Sequence, residues 1–497
     1  MIRQERRLPR NRQQTAFRQG VPGIDDILNG GLIPDRSTLV RGPPGAGKTL
    51  FGLHYLTAGT DDETGLFINM GEPEQYLRED ATAFGFDPDA FELLDLRPDE
   101  AAFTQEESYD VFPTQEVEGP ALADEITTAL NDVKPDRVFI DPMTQLRYLT
   151  EDPYQFRQHV MGLFRLLEGT SVVFTSQATQ ATPDDDLQFM SDAVIHLDQT
   201  NEYRTLRVSK FRGSDFQRGE HSLQITDDGM VASPQLSSET QHSTDPQGTL
   251  SSGVPELDAL LNGGLDRGTL TMLTGPTGAG KTTTGLQFLK EATGRNSQAV
   301  LYSFEENERT LLQRADAVNI PIREMRDDGT LTIETIEPDE MTVDEFTQEV
   351  RRAVETNGVE VIMLDAIDGF QQSVRGAETK DVLVTLGRYL RNAGVTAIFV
   401  NEVHAITGDF QATERGISQL ADNIVFLRHI EYQGELRKVI GVLKQRTSGF
   451  EHTLRELEIT EHALSVGEPL PNLRGILTGT PEWEASTETT PHDDAGI

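Results

Sequence analysis

Short runs of apolar, often β-branched residues alternate with helical stretches along the chain. Strand-like runs occupy residues 37–42, 65–70, 137–141 and 171–177 in the first half, and residues 269–275, 299–304, 361–365 and 396–402 in the second. Continuous apolar strands separated by helices are typical of a parallel sheet that is buried on both faces. The pattern therefore predicts an α/β fold in which each half forms a mainly parallel sheet flanked by helices.

The chain contains an internal repeat. Residues 20–32 (GVPGIDDILNGGL) correspond to residues 253–265 (GVPELDALLNGGL) at an offset of 233 residues, and the same offset relates GPPGAGKT at 42–49 to GPTGAGKT at 275–282. A repeat of this length indicates two homologous domains rather than a solenoid. We predict a basic arm at 1–14, domains at 15–231 and 251–480, a polar flexible linker at 232–250 and an acidic disordered tail at 481–497.

Composition limits the compartment and the chemistry. No run approaches the roughly 18 consecutive apolar residues of a membrane span, and no apolar segment of a secretory signal follows the N-terminal arginines. The chain has no cysteine, which excludes disulfides and zinc–thiolate sites. We expect a cytoplasmic protein that does not bind a membrane.

The chain is strongly acidic, with a net charge of −39, and only eight of its 43 basic residues are lysines. A lysine-poor acidic surface is typical of the cytosol of an extreme halophile, where molar salt screens self-repulsion. The same surface repels nucleic-acid phosphates at long range. We therefore expect a halophilic protein for which nucleic acid is an unfavourable partner.

The motif GxxxxGK[ST] occurs in both repeats, each time after a strand and before a helix. Its glycines let backbone N–H groups approach phosphates, and the helix N-terminus favours negative charge. Lys48 and Lys281 would then reach the β- and γ-phosphates. We predict that ATP binds at two loops, formed by Gly42, Pro43, Pro44, Gly45, Ala46, Gly47, Lys48 and Thr49, and by Gly275, Pro276, Thr277, Gly278, Ala279, Gly280, Lys281 and Thr282.

Each loop has candidate ligands for Mg²⁺. Thr49 and Thr282 end the two motifs, and their hydroxyls would hold the ion. Asp141 and Asp365 end apolar strands farther along the chain, where an acid that contacts Mg²⁺ through water is expected.

Hydrolysis also needs a group that orients or deprotonates water. Glu305 and Glu306 follow the strand at 299–304 and could supply it, whereas the matching positions of the first repeat are Gly71 and Glu72. One carboxylate is thus missing from the first repeat, and we expect the second site to be better equipped for hydrolysis.

The segment GGLIPDRSTLVRGPPGAGKTLFGLHYL, the FEE triplet at 304–306 and the K-x-R motifs at 210–212 and 444–446 resemble the KaiC family, circadian-clock ATPases of the KaiC/RadA branch of RecA-like proteins. The resemblance covers about residues 15–480. It implies tandem RecA-like P-loop NTPase domains, assembled into hexameric rings of two stacked tiers with ATP between neighbouring protomers.

The resemblance also assigns the K-x-R motifs. Carried over to this chain, Lys210, Arg212, Lys444 and Arg446 would reach the γ-phosphate held by a neighbouring protomer. A cation supplied in this way stabilises transition-state charge and makes hydrolysis depend on assembly.

Two positions depart from the family pattern. Gly71 replaces a family glutamate, which puts hydrolysis by the first domain in doubt. Ser418 stands at the first of two adjacent Ser and Thr phosphorylation sites, but Gln419 stands at the second. Ser418 is therefore a candidate phosphosite, while an ordered two-site cycle cannot run, and fold alone does not imply a clock function.

Three functions remain open. The leading hypothesis is a regulatory or signalling ATPase hexamer with unidentified protein partners and serine autokinase activity. The first alternative is a RecA/RadA-type DNA-dependent ATPase, but the loops at 178–190 and 402–417 are net acidic, and phosphate contacts need Lys or Arg. The second alternative is a nucleotide-gated scaffold that turns over little ATP.

Overall fold

A computed structural model describes residues 20–59, 63–97, 115–149, 152–178, 183–200, 203–236, 246–375, 379–403, 419–471, 473–474 and 482–483. The chain divides into two compact units, residues 1–235 and 236–497. The predicted basic arm and most of the predicted acidic tail lie outside the described residues. No helix within the described ranges is long and apolar enough to cross a membrane.

The first unit alternates strands and helices through most of its length. Its strands are β1 (Ser37–Arg41), β2 (Gly65–Asn69), β3 (Glu92–Asp95), β4 (Arg137–Asp141), β5 (Ser171–Ser176), β6 (Ala193–Gln199), β7 (Arg204–Phe211), β8 (His221–Thr226) and β9 (Gly229–Ser233). Its helices are α1 (Ile24–Ile27), α2 (Lys48–Thr57), α3 (Glu74–Ala83), α4 (Gln115–Val133), a 3₁₀ helix (Met143–Leu149), α5 (Pro153–Leu166) and α6 (Asp185–Met190).

The second unit repeats this order with some additions. Its strands are β10 (Thr249–Leu250), β11 (Leu265–Asp266), β12 (Leu270–Gly275), β13 (Ala299–Ser303), β14 (Leu331–Thr335), β15 (Met341–Thr342), β16 (Val361–Asp365), β17 (Val374–Arg375), β18 (Thr396–Glu402), β19 (Asn423–Tyr432), β20 (Glu435–Gln445), β21 (Arg455–Ile459), β22 (Leu464–Pro469), β23 (Leu473–Arg474) and β24 (Glu482–Trp483). Its helices are α7 (Pro255–Leu260), α8 (Lys281–Thr293), α9 (Glu308–Ala317), α10 (Ile322–Asp327), α11 (Val343–Glu355), α12 (Ile367–Ser373) and α13 (Thr379–Asn392).

Each unit is built on one nine-stranded sheet. The strand orders are β3-β2-β4-β5-β1-β6-β7-β8-β9 in the first unit and β14-β13-β16-β18-β12-β19-β20-β21-β22 in the second. In both sheets the first six strands in this order are parallel and the last three continue the sheet antiparallel. The predicted fold class, tandem and mainly parallel sheets flanked by helices, is confirmed.

The antiparallel strands were not predicted individually, and most of them lack continuous apolar runs; β20, in which residues 439–442 are all buried, is an exception. In β7, for example, only Leu206 and Val208 are buried between more exposed neighbours, as expected where one sheet face meets solvent. The predicted linker, 232–250, overlaps the end of β9 and includes all of β10, and its centre, 237–245, lies outside the described residues. The predicted domain boundaries stay predictions.

Two hydrophobic layers cover each parallel sheet. In β2, Phe67 packs into one buried cluster while its neighbours Leu66 and Ile68 pack into another. Because successive side chains of a strand point to opposite faces, these clusters lie on the two sides of the sheet. In the second unit, Met272 and Leu273 divide in the same way. Because apolar packing covers both faces of the sheet, polar side chains that could react or bind ligands are expected at the ends of the strands.

Candidate nucleotide-binding sites

The glycine-rich loops connect the central strand of each sheet to a helix. Gly47 and Gly280, which precede α2 and α8, have φ values of 95° and 102°, a left-handed conformation that favours glycine. A Cβ on Gly47 would lie 2.6 Å from Cε of Met230, and one on Gly280 would lie 2.4 Å from Cδ1 of Ile459. Both loops thus have the bare, closely packed backbone that phosphate binding needs.

The motif lysines lie against their own loops. Lys48 Nζ donates hydrogen bonds to the carbonyl oxygens of Gly42 (2.9 Å) and Pro43 (3.0 Å). Lys281 Nζ donates to the carbonyl oxygen of Pro276 at 3.0 Å. Burial lowers the pKa of both lysines, because a desolvated ammonium is disfavoured. A nearby anion would compensate for this cost.

The first site is a cavity of about 330 Å³. Thr49 Oγ1 donates to Asp141 Oδ2 at 2.6 Å, and the Thr175 hydroxyl donates to the other oxygen of the same carboxylate. Burial raises the pKa of Asp141, although the two hydroxyl bonds lower it. A hydroxyl in direct contact with a carboxylate fits the hard oxygen ligands that Mg²⁺ prefers, so the predicted metal residues of this unit lie together.

Glu72 lines the same cavity beside Gly71. Burial raises the pKa of Glu72, and the negative charges of Asp141 and Asp80 raise it further. The described residues of the cavity include no arginine that would hold this carboxylate in its charged form.

The second site is a cavity of about 360 Å³ lined by Glu305, Glu306, Asp365 and Glu402. Burial raises the pKa of Asp365 to about 6, against the effect of a hydrogen bond from Thr282. Thr282 and Asp365 therefore repeat the arrangement of the first site. The predicted metal and water-activating residues of this unit are brought together, while their roles stay predictions.

The two carboxylates predicted to activate water have different surroundings. Glu306 is held by an ion pair with Arg314. Burial raises the pKa of Glu305, and the charges of Glu402 and Asp368 raise it further. Proton acceptance by a carboxylate improves as its pKa approaches the working pH, so Glu305 is the better candidate for a general base.

Sequence reasoning missed two differences between the cavities. Arg314 and Glu402 line the second cavity, and Asp80 and Gln177 line the first. Residues 80 and 314 differ by the same 234 residues as 72 and 306, so they occupy matched positions. A residue-by-residue comparison of the two repeats would have shown both replacements.

The K-x-R motifs lie elsewhere, beside the amino-terminal ends of the parallel strands. Lys210 Nζ donates to the carbonyl oxygens of Gln188 (2.8 Å), Phe189 (3.0 Å) and Ser191 (2.5 Å), close to the end of α6. Lys444 Nζ donates to the carbonyl oxygen of Ala421 at 2.5 Å. Both lysines therefore face backbone carbonyls that precede β6 and β19.

The motif arginines pair with acids at the same edge. Arg212 lies 3.7 Å from Asp192, and Arg446 lies 3.7 Å from Asp422. Among the described residues, the cavity linings include neither motif. The structure thus does not bring either K-x-R motif to the nucleotide site of its own unit.

Ser418, the candidate phosphosite, lies outside the described residues. The described segment resumes at Gln419, whose side chain is exposed and whose carbonyl oxygen accepts a hydrogen bond from Arg446 at 3.1 Å. The assignment of Ser418 stays a prediction.

Two glycine-rich loops, each at the carboxyl end of a central parallel strand and followed by buried strand-end carboxylates, define a tandem P-loop ATPase of the RecA type. The family model described as "ATPase: KaiC" matches residues 17–237 and again residues 250–470. The chain therefore belongs to the KaiC ATPase family, which confirms the resemblance seen in the motifs.

Named relatives match nearly the whole chain. The "Circadian clock oscillator protein KaiC" of Acaryochloris marina is 28% identical over 478 residues, which cover 93% of this chain and 90% of the relative. The protein of the same name from Synechococcus elongatus is 28% identical over 481 residues, with 94% and 91% covered. The "Circadian clock protein KaiC3" of Synechocystis sp. is 26% identical over 491 residues, with 94% and 95% covered.

Proposed function

We propose that this chain binds ATP with Mg²⁺ at both sites and hydrolyses it at the interfaces of a homohexameric ring, where it acts as a regulatory or signalling switch. The observation that carries the proposal is the position of the K-x-R arginines. In both units they lie at the sheet edge opposite the glycine-rich loop. A neighbouring copy is then the natural recipient of these cations.

The distance between these arginines and the glycine-rich loop can be judged along strand β1, which has the acidic partner of Arg212 at its start and the loop at its end. Asp192, the partner of Arg212, accepts a hydrogen bond from the N–H of Ser37, the first residue of β1, at 3.3 Å. The loop follows Arg41, the last residue of that strand. Five strand residues span about 16 Å. In the second unit Asp422 bonds the N–H of Leu270 at 3.0 Å, at the start of β12.

The residues at each loop divide the work of hydrolysis. Bound Mg²⁺ would neutralise charge on the phosphates. Lys48 and Lys281 bind phosphate oxygens, and Thr49 and Thr282 orient the ion through their hydroxyls. Glu305 accepts a proton from the attacking water.

The arginine from the neighbouring protomer supplies the remaining charge. A cation of this kind contributes about 10³–10⁵-fold to turnover in phosphoryl-transfer enzymes. The rate of hydrolysis therefore depends on ring assembly, as is useful in a regulatory switch. The relatives named as clock proteins support a regulatory role. A DNA-dependent ATPase is disfavoured, since the loop at 178–190 contains no lysine or arginine to contact phosphates.

A complementation experiment tests the proposal. All proteins carry Lys48→Ala, so that only second-site turnover is measured. In this background Lys281→Ala removes the phosphate-binding lysine and Arg446→Ala removes the cation for the neighbour. Each variant alone should lose at least ~10²-fold in turnover. An equal mixture, assembled with ATP in molar KCl, should recover about a quarter of the parental rate, because about one interface in four is intact.

Arg295→Ala, which removes an exposed arginine paired with Glu291, is the control and should retain the parental rate. Two results would refute the proposal. One is a monomeric mass by light scattering with ATP and Mg²⁺ present. The other is a mixture that forms mixed rings but recovers no activity.

We propose further that Ser418 accepts the γ-phosphate in an autokinase reaction. Its oxygen attacks phosphorus, the bond to the β-phosphate oxygen breaks, ADP leaves, and Glu305 takes the hydroxyl proton. Phosphate mapping by mass spectrometry after incubation with ATP and Mg²⁺ should find Ser418 modified in the parent and unmodified in Lys281→Ala. Protein that turns over ATP without phosphate on Ser418 would leave a plain ATPase.

A further inference from the structure

Glu402 ends β18 and lies beside the second glycine-rich loop. The strand register pairs it with Gly275, the first residue of the loop motif. One of its carboxylate oxygens accepts a hydrogen bond from the hydroxyl of Thr277. The other lies 3.7 Å from Nζ of Lys281. One side chain thus contacts both the loop and the lysine that is expected to bind phosphate.

The first unit has a neutral side chain at this position. Arg41 pairs with Ser176 in the first sheet, and Thr274 pairs with Asn401 in the second. The next residues, Gln177 and Glu402, therefore stand at the same place, and each lines the cavity of its unit.

The replacement of a neutral side chain by Glu402 gives the two motif lysines different partners. Lys281 forms an ion pair with Glu402. Within the part of the chain that the structure describes, Lys48 donates to two loop carbonyls and forms no ion pair. Arg314 and Lys438 also line the second cavity. Arg314 is engaged by Glu306, and among the described residues the ion pair of Glu402 is with Lys281.

We propose that Glu402 is a specificity-determining residue of the second nucleotide site, whose carboxylate competes with nucleotide phosphates for Lys281 and so weakens ATP binding at that site. The inference rests on the proposed ATP-binding function. The two sites would then differ in their affinity for ATP because of one carboxylate, a difference that the glycine-rich motifs do not explain.

The physical basis is charge competition in a partly enclosed cavity. Only 7% of the Lys281 side chain and 24% of the Glu402 side chain are exposed, so solvent and salt screen this pair less than a surface pair. Phosphates carry the same sign of charge as Glu402 and must displace it from the ammonium. Because ATP brings more negative charge than ADP, the cost is larger for ATP.

The experiment measures binding at one site at a time. In a Lys48→Ala background, which silences the first site, Glu402→Gln should tighten binding of a non-hydrolysable ATP analogue with Mg²⁺ by about tenfold. Binding of ADP should tighten less. The reciprocal change, Gln177→Glu in a Lys281→Ala background, should weaken binding of the analogue at the first site by about tenfold.

Glu291→Gln is the matched control, since Glu291 lies on α8 but pairs with Arg295 outside the cavity lining. It should leave both affinities unchanged. Titration calorimetry in molar KCl gives affinity and stoichiometry together, and the Gln177→Glu arm decides the question if Glu402→Gln does not fold.

The outcomes separate the two proposals. If Glu402→Gln leaves the affinity of the Lys48→Ala protein for the analogue unchanged or weakens it, the role of Glu402 is wrong. The proposed function is then unaffected. If the Lys48→Ala protein binds no nucleotide, ATP binding at the second site is wrong, and the role of Glu402 falls with it. An equal gain for ADP and ATP would also contradict competition that depends on phosphate charge.

Discussion

Acidification should destabilise the first nucleotide-binding unit through His54. This histidine lies on α2, the helix that follows the first glycine-rich loop, and only 5% of it is exposed. Its Nε2 accepts a hydrogen bond from the N–H of Met230 at 2.7 Å, and its Nδ1 lies 3.2 Å from the carbonyl oxygen of Gly20. The neutral ring with its proton on Nδ1 satisfies both partners. A second proton on Nε2 would face the N–H of Met230.

The magnitude follows from the pKa. Burial lowers the pKa of His54 from 6.5 to about 4. The folded pKa is below the unfolded pKa, so between these values the unfolded chain binds more protons. The stabilisation is thus fully present above about pH 6.5 and is lost as the pH falls towards 4. A difference of about 2.5 units corresponds to at most about 3 kcal/mol.

A second histidine of the same unit adds to the effect. The fully buried His221 accepts a hydrogen bond at Nδ1 from the N–H of Gln235 (3.0 Å), and its Nε2 lies 3.1 Å from the carbonyl oxygen of Gln217. Burial lowers the pKa of His221 as well. The loss of stability between pH 6.5 and 4 should therefore be concentrated in the first unit.

Hydrogen exchange followed by mass spectrometry resolves the units, because peptides from α2 and β9 report on the first unit alone. At constant molar KCl, protection of these peptides should fall steeply from pH 7 to 4.5 after correction for the intrinsic exchange rate. His54→Gln should lower their protection at pH 7 but flatten the pH dependence. His462→Gln, a change at a histidine that is 85% exposed, is the control. An unchanged slope in His54→Gln would refute the reasoning.

Three further predictions concern the nucleotide sites and the surface. Lys48→Ala and Lys281→Ala should each remove about one bound nucleotide per protomer, and unchanged stoichiometry by calorimetry would contradict the site concerned. Glu305→Gln combined with Glu306→Gln should lower phosphate release by about 10²-fold, whereas Glu72→Gln should cost little, and the reverse ranking would exclude our assignment. Raising KCl from about 0.1 M to about 2 M should raise the thermal midpoint, since salt screens the net charge of −39; a midpoint that falls with salt would contradict it.

The fold could be predicted where burial leaves a continuous signal. The strands at 137–141, 361–365 and 396–402 have the predicted bounds, because both faces of these strands are covered and each contains a continuous apolar run that ends at a polar residue. Four others end one residue earlier than predicted, where the chain turns out of the sheet. Most of the antiparallel strands gave a weaker alternating signal, and their pairing depends on long-range contacts that periodicity does not specify.

The features of the two sites also differ in how far the sequence predicts them. Backbone motifs such as GPPGAGKT predict their own local geometry, so the placement of Lys48 beside its loop could be anticipated. The ion pair between Glu306 and Arg314 joins residues eight positions apart across a strand–helix turn, and the pair between Lys281 and Glu402 joins residues 121 positions apart. The second pair depends on strand order, which a single sequence does not reveal.

The two repeats share the backbone of the glycine-rich loop but differ in the charged side chains around it. Both loops have a left-handed glycine before the helix and a lysine against the loop carbonyls. The cavities differ in charge at three matched positions, where the first unit has Gly71, Asp80 and Gln177 and the second has Glu305, Arg314 and Glu402. All three changes alter charge next to the expected phosphates, where an effect on binding or proton transfer is largest. Two sites with one backbone and different charges can bind the same nucleotide yet respond differently to it, which is compatible with the proposed role as a switch.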